Sequence, residues 1–263
     1  FNNDPNSLLR FNQAKIYTDG ILGQGTGALY APYHFDFRMP GVPDDGFLYF
    51  EPALLNRYAQ SLEGAGFQLH FHATGDRGAA LALDAVEHAD EQNGQSDQRH
   101  RITHLYLVDP ADRPRFAELG VVADFQLAPS SIDPSNVDYM AEILGNRADG
   151  FLPARSLFEA GATMTLSSDW DADELSPFIK LHAVLTRDFE AIPDLESAIE
   201  MMTLNVAYQL HHEDKTGSIE VGKYADLVIL DQNLFEISVE QIPNTLVLQT
   251  LLAGQVVYQA PDY

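Results

Sequence analysis

Five short apolar runs, each readable as a β-strand, alternate with helical patterns between residues 14 and 167. The runs cover residues 14–18, 67–71, 101–104, 121–125 and 163–167. Between them, Ala79, Ala80, Leu83, Val86 and Ala89 recur near the 3.6-residue period of a helix over residues 76–91. Asp109-Pro110 joins an N-cap residue to a proline at a first helical position, and Gly120 follows as a stop. Residues 152–160 end at Gly161 in the same way, and Asp194 opens a helix predicted to run to about Leu210. Strand and helix alternating at this spacing predict parallel βα units, hence an α/β fold. Residues 20–46, rich in Gly and Pro, read as a long loop, and residues 130–150 as a second long, polar insertion.

The side chains that end these runs point to chemistry. In a parallel α/β sheet the carboxyl ends of the strands form one rim, where reactive groups are placed. His72 ends Phe67-Gln-Leu-His-Phe-His72, His104 ends Arg101-Ile-Thr-His104, and Asp169 ends Thr163-Met-Thr-Leu-Ser-Ser-Asp169. Two imidazoles and a carboxylate gathered on one rim suit a divalent metal. A carboxylate beside such an ion can also take and pass a proton. Structural alternatives stand beside each reading: a satisfied core histidine for His72 or His104, and an N-cap for Asp169. His70 shares a strand face with His72. Lys15 lies on the first strand, where burial demands a partner or a modification; a snorkelling or ion-paired lysine is the alternative. Arg77 and Trp170, the single tryptophan, are candidates to contact substrate.

Composition narrows the partners. Of 263 residues 45% are hydrophobic, enough for a substantial core, and there is no cysteine. Any metal must therefore be held by nitrogen and oxygen. The net charge of −24 argues against nucleic acid, whose phosphates need cations, and no run is long enough to span a bilayer. The chain opens on Phe1-Asn-Asn-Asp-Pro5, neither a signal peptide nor an initiating methionine, so the compartment stays open, with the cytoplasm favoured. After His212 the pattern changes to short β runs at residues 217–222, 225–231, 246–252 and 255–259, with Ala253-Gly254 placed for a tight hairpin. Two portions are expected: residues 1–213, and an all-β portion at 214–263.

In this order, Lys15-Ile-Tyr-Thr-Asp-Gly20, His72-Ala-Thr-Gly-Asp-Arg77, Arg101-Ile-Thr-His104, Ser168-Asp169-Trp170, Ser176-Pro-Phe178 and Gly217-Ser-Ile-Glu-Val-Gly-Lys-Tyr-Ala-Asp-Leu-Val-Ile-Leu-Asp231 resemble the amidohydrolase superfamily, in its amidohydrolase 3 group with the YtcJ-like proteins. The resemblance implies part of a distorted (β/α)8 TIM barrel, about strands 4–8, beside a small C-terminal β-sandwich portion. It implies hydrolysis of an amide or other non-peptide C–N bond with a divalent metal, Zn²⁺ above others. His72 and His104 would be metal ligands on the fifth and sixth strands. Asp169 would end the eighth strand as ligand and proton shuttle, and Lys15 falls where relatives carry a bridging carboxylated lysine. Thr103 departs from the pattern, since an acidic residue commonly precedes that histidine. An His-x-His pair of the first strand has no counterpart here, so a longer protein, with an N-terminal half or a homo-oligomer partner completing the barrel, is expected. A non-enzymatic binding or assembly module of the same fold, and a ring deaminase, are the alternatives.

Overall fold

A computed structural model describes residues 9–34, 40–127, 133–170 and 172–261. The chain divides into two compact units, one of residues 1–125 and 134–164, the other of residues 126–133 and 165–263. Strands β1 (Gln13–Tyr17), β2 (Gln68–Ala73), β3 (Arg101–His104), β4 (Val122–Phe125) and β5 (Met164–Leu166) form a sheet in the order β1-β2-β3-β4-β5. The pairs β1–β2, β2–β3 and β3–β4 are parallel. Each strand lies next to its predecessor with no reversal of order, which is how successive βα units wind a barrel; a doubly wound sheet would reverse. The chain is thus α/β and carries part of a (β/α)8 barrel.

Register sorts the side chains onto two faces. Lys15 is level with His70 and His70 with Arg101, while Tyr17 is level with His72, His72 with Thr103, and Thr103 with Asp124. These polar groups share one face, because the side-chain period of a strand is two. The opposite face carries Leu69, Phe71, Ile102 and Ala123, each fully buried. Helices α1 (Pro52–Gly64) and α2 (Asp76–Asn93) pack together and against β2. Along α2 the buried residues Gly78, Ala79, Ala80, Ala82 and Ala85 are small, which lets the helix approach closely. At the amino end of the strands, buried Glu63 and His100 are fastened together. His100 Nε2 lies 3.3 Å from Glu63 Oε1, and its Nδ1 accepts from Leu69 N at 3.0 Å. Asn93 Nδ2 and Ser96 Oγ also donate to the Glu63 carboxylate, at 2.9 and 2.6 Å.

The remaining helices correct several expectations. Asp109 does not cap a helix: its carboxylate accepts from Ala111 N at 2.8 Å in a local turn, and α3 spans Arg113–Glu118, with Gly120 at φ +62° just beyond. Where described, the polar insertion at residues 130–150 forms α4 (Pro134–Leu144) and a 3-10 helix at Gly145–Gly150, while its residues 130–132 lie outside the described residues. Helix α5 (Ala154–Glu159) follows and packs against α3. In the second unit, α6 (Pro177–Thr186) precedes α7 (Leu195–Met202), whose cap is Asp194, accepting from Ser197 N at 2.8 Å. The expected single helix to Leu210 breaks at Thr203 (φ −128°, ψ −84°), and α8 (Leu204–Gln209) continues after the break.

The second unit ends in an antiparallel sheet of β6 (Leu227–Leu230), β7 (Val247–Leu252) and β8 (Gln255–Gln259), ordered β6-β7-β8. Ala253 and Gly254, at φ +49° and +79°, form the expected tight hairpin turn between the last two. Residues 217–222 are turns and bends and join no strand. No helix among the described residues is long and apolar enough to cross a membrane.

Candidate metal centre

His72 and His104 come together within the first unit. Their ring centroids are 4.4 Å apart, nearly edge to face at 67°. Alternation alone would send His104 to the helix-covered face, since Thr103 beside it faces His70 and Asp124. The strand ends there instead: His104 and Leu105 hold φ values of +83° and +49°. Positive φ in a residue with a Cβ is strained backbone, and such strain gathers at functional sites. Leu105 N and Leu107 N donate to the carbonyls of Ala73 and Thr74 at 2.9 and 3.0 Å, which hold the bend.

His72 is oriented from behind. Its Nε2–H donates to Gly20 O at 2.8 Å, and the ring stacks on Tyr17, with centroids 4.4 Å apart and 29° between planes. A ring nitrogen hydrogen-bonded to a backbone carbonyl is the arrangement histidines adopt when the other nitrogen holds a metal. Gly20 belongs to a hub that the sequence reading missed. The buried carboxylate of Asp19 accepts from Ala28 N, Thr74 N and Gly75 N at 2.9, 2.9 and 2.8 Å. Burial pushes its pKa up to about 7 against those three donors. The hub pins residues 20–29, with Leu22, Ala28 and Leu29 fully buried, onto the exit of β2. Gly75 is required there, because a Cβ would come within 2.0 Å of Ala28 O. A carboxylate directly before a glycine at a strand exit was the available signal.

Lys15, His70, Arg101, Thr103 and Asp124 form a network on the same polar face. Arg101 NH2 donates to His70 Nδ1 at 2.8 Å, and His70 Nε2 is 2.7 Å from Thr103 Oγ1, which donates to Asp124 Oδ2 at 3.1 Å. Burial first, then the charges of Arg101 and Lys15, push the His70 pKa down to about 2, so the ring is neutral. Guanidinium only donates, so Nδ1 accepts and Nε2 carries the hydrogen. Lys15 Nζ lies 2.9 Å from that same Nε2, placing one donor against another. Arg77, expected near substrate, pairs with Asp45 Oδ2 at 2.8 Å and so also fastens the 20–46 segment.

Asp169 and Trp170 belong to the second unit. Asp169 has φ +50°, and its carbonyl accepts from Ala172 N at 2.7 Å. Trp170 is no core residue, being 70% exposed. Among the described residues, no group of three or more His, Asp or Glu side chains is arranged to hold a metal ion. The first unit supplies two imidazoles, a nitrogen donor pair that fits part of the three- or four-ligand shell of zinc.

Comparison with known proteins agrees with this geometry. A family model described as "Amidohydrolase family" matches residues 2–258. The putative amidohydrolase YtcJ of Bacillus subtilis is 26% identical over 95% of this chain and 48% of its own length. The N-substituted formamide deformylase of Arthrobacter pascens is 28% identical over 74% of this chain and 37% of its own. A crystal structure of an uncharacterized metal-dependent hydrolase from Pyrococcus furiosus superposes with a TM-score of 0.69 at 25% identity, over 83% of this chain and 44% of that one. The chain thus spans less than half the length of each of these proteins. With the family model matching nearly every residue, the chain belongs to the amidohydrolase family.

Proposed function

We propose that this chain carries part of the active site of a metal-dependent hydrolase acting on an amide or other non-peptide C–N bond of a small molecule. The observation that carries the reading is the His72–His104 pair at the ends of adjacent parallel strands, 4.4 Å between centroids, with Nε2 of His72 engaged by a backbone carbonyl. His72 and His104 would hold a divalent ion, Zn²⁺ in this reading, given nitrogen ligands and no thiolate. Such an ion, when bound, lowers the pKa of water to about 7 and polarises a carbonyl. Asp169 is the group we assign to accept a proton from water and pass it to the departing nitrogen, and also to bind the ion. Trp170 and His70 contact substrate in this reading, while Arg77 acts through the segment it fastens. Further ligands come from residues outside this chain, from an N-terminal half or a second subunit. We assign residues 1–213 to the barrel portion and 214–263 to the β portion. The named activity of the formamide deformylase supports the bond class.

Lys15 is proposed to be carboxylated. As an ammonium it faces the N–H of His70 and adds a second cation beside Arg101. As a carbamate it presents oxygens that accept from that N–H and offset the guanidinium. Growth in ¹³C-bicarbonate should give a carbamate carbon resonance that Lys15→Arg abolishes; an unchanged spectrum removes the assignment.

The whole reading is tested by metal analysis of the complete enzyme, in which the remaining ligands are present. Stoichiometric zinc, lost in His72→Asn and His104→Asn while circular dichroism is unchanged, supports it. A stable, metal-free protein that takes up no zinc overturns it and leaves a binding or assembly module.

A further inference from the structure

The second unit holds a cation in a place where a hydrocarbon would be cheaper. Lys180 lies on the buried face of α6 with Phe178, Leu181, Ala183 and Val184. That face packs against the 3-10 helix Val239–Asn244, whose Ile242 is buried, and against α7. The lysine side chain is 2% exposed and its Nζ has no hydrogen-bond partner among the described residues. Burying an ammonium without hydrogen bonds is costly, because the charge loses its hydration. Methionine would fill the same space with no charge to desolvate. Burial accordingly pushes the pKa of Lys180 below the usual lysine value, while Asp173 and Glu174 pull it back up.

An anion among the described residues says what the charge does. Asp173 Oδ1 lies 3.8 Å from Nζ, and Asp173 sits on the segment that leaves β5 and carries Asp169 and Trp170. Local hydrogen bonds shape that segment: Trp170 N to Ser168 Oγ at 3.2 Å, Ala172 N to Asp169 O at 2.7 Å, and Glu174 N to Asp173 Oδ1 at 2.6 Å. They fix its turns but do not tie it to the helix. The ion pair does, seven residues along the chain. Asp173 is also only 16% exposed, so the pair is screened less than a surface pair.

We infer that Lys180 is a positioning residue, whose charge holds the Asp169-bearing segment in place through Asp173. The inference rests on the proton-handling role proposed for Asp169, but its test does not need activity. Trp170 is the single tryptophan and lies one residue from Asp169, so its emission reports on the segment alone. Steady-state anisotropy of Trp170 in the full chain is the measurement. Lys180→Met and Asp173→Asn should each lower the anisotropy and raise quenching by acrylamide, with secondary structure unchanged, and Lys180→Arg should restore both. A purely structural lysine would change the melting temperature and leave the native-state signal alone. If Lys180→Met does not fold, Asp173→Asn decides. Wild-type anisotropy in Asp173→Asn overturns the inference, as does a loss in Lys180→Met that Asp173→Asn fails to reproduce. If the anisotropy changes as expected and the protein neither binds zinc nor hydrolyses amides, the tether stands and the hydrolase reading fails.

Discussion

His104 shows what a single backbone angle decides. The sequence places it at a strand end, but alternation assigns its side chain to the wrong face. Only the positive φ at His104 and Leu105 explains how its ring meets that of His72. Candidate residues on this rim were legible because each ends an apolar run. Their orientation was not, because strain has no residue signature when Gly is absent. Asp19 was missed for another reason: its partners are backbone N–H groups from segments far apart in the chain, which no local pattern displays. For the proposed chemistry, Asp169→Asn in the complete enzyme should lower kcat at least ~10²-fold, the usual loss when a proton-transfer group is removed. Turnover within a few-fold of wild type would remove Asp169 from the proton path. Metal content should fall in the two histidine variants, and fall less in Asp169→Asn, whose amide keeps one oxygen donor.

At the scale of elements, strands were read to within one or two residues, because each is a compact apolar run between breakers; the exception is residues 217–222, which form no strand. Helices were read where caps and period agreed, as in α2. They failed where one of the two misled. Asp109-Pro110 has the composition of a helix start, yet the Asp109 side chain closes its own turn first. The period across residues 195–209 is continuous, yet Thr203 breaks it, with its hydroxyl donating back to Ile199 O at 2.8 Å. The Asp194 cap was read correctly, and Asp194→Ala should lower stability by about 1 kcal/mol, measured by urea denaturation. A change below the error of the midpoint would show that packing alone holds α7.

The Glu63–His100 fastening makes a sharper prediction. Burial alone would raise the Glu63 pKa, but hydrogen bonds from His100, Ser96 and Asn93 hold it at about 2, below the ordinary 4.5. A depressed carboxyl stabilises the fold fully above its unfolded pKa. That contribution, roughly 3 kcal/mol from the size of the depression, is lost as pH falls from about 4.5 towards about 2. Glu63→Gln should therefore flatten the acid limb of the stability curve in that window. An acid limb identical to wild type would assign the loss to other carboxylates.

The whole molecule carries −24 charges at neutral pH, with 39 acidic residues against 15 basic ones. Like charges at this density repel and weaken the compact state. Raising ionic strength from ~0.01 M to ~0.15 M shortens the screening length from ~30 to ~8 Å, so the melting temperature should rise over that range. A flat or falling curve would mean that specific ion pairs outweigh the net repulsion. The division into a parallel sheet and a later antiparallel one was legible from the change of period after His212. The residue at which one compact unit gives way to the other was not, because β5 runs across it with no turn residue to mark it.

The last hairpin has a practical consequence. Every residue of β8 is exposed, it lies at an end of the three-strand order, and Gln255-Val-Val-Tyr-Gln259 carries no charge. A bare, uncharged border rich in β-branched and aromatic residues is a template on which other molecules can stack into cross-β fibrils. Pro261, two residues on, stops that stretch from growing longer. Concentrated stocks of this protein should therefore gel or seed thioflavin-positive fibres on standing, and placing a lysine at Val257 should keep them clear.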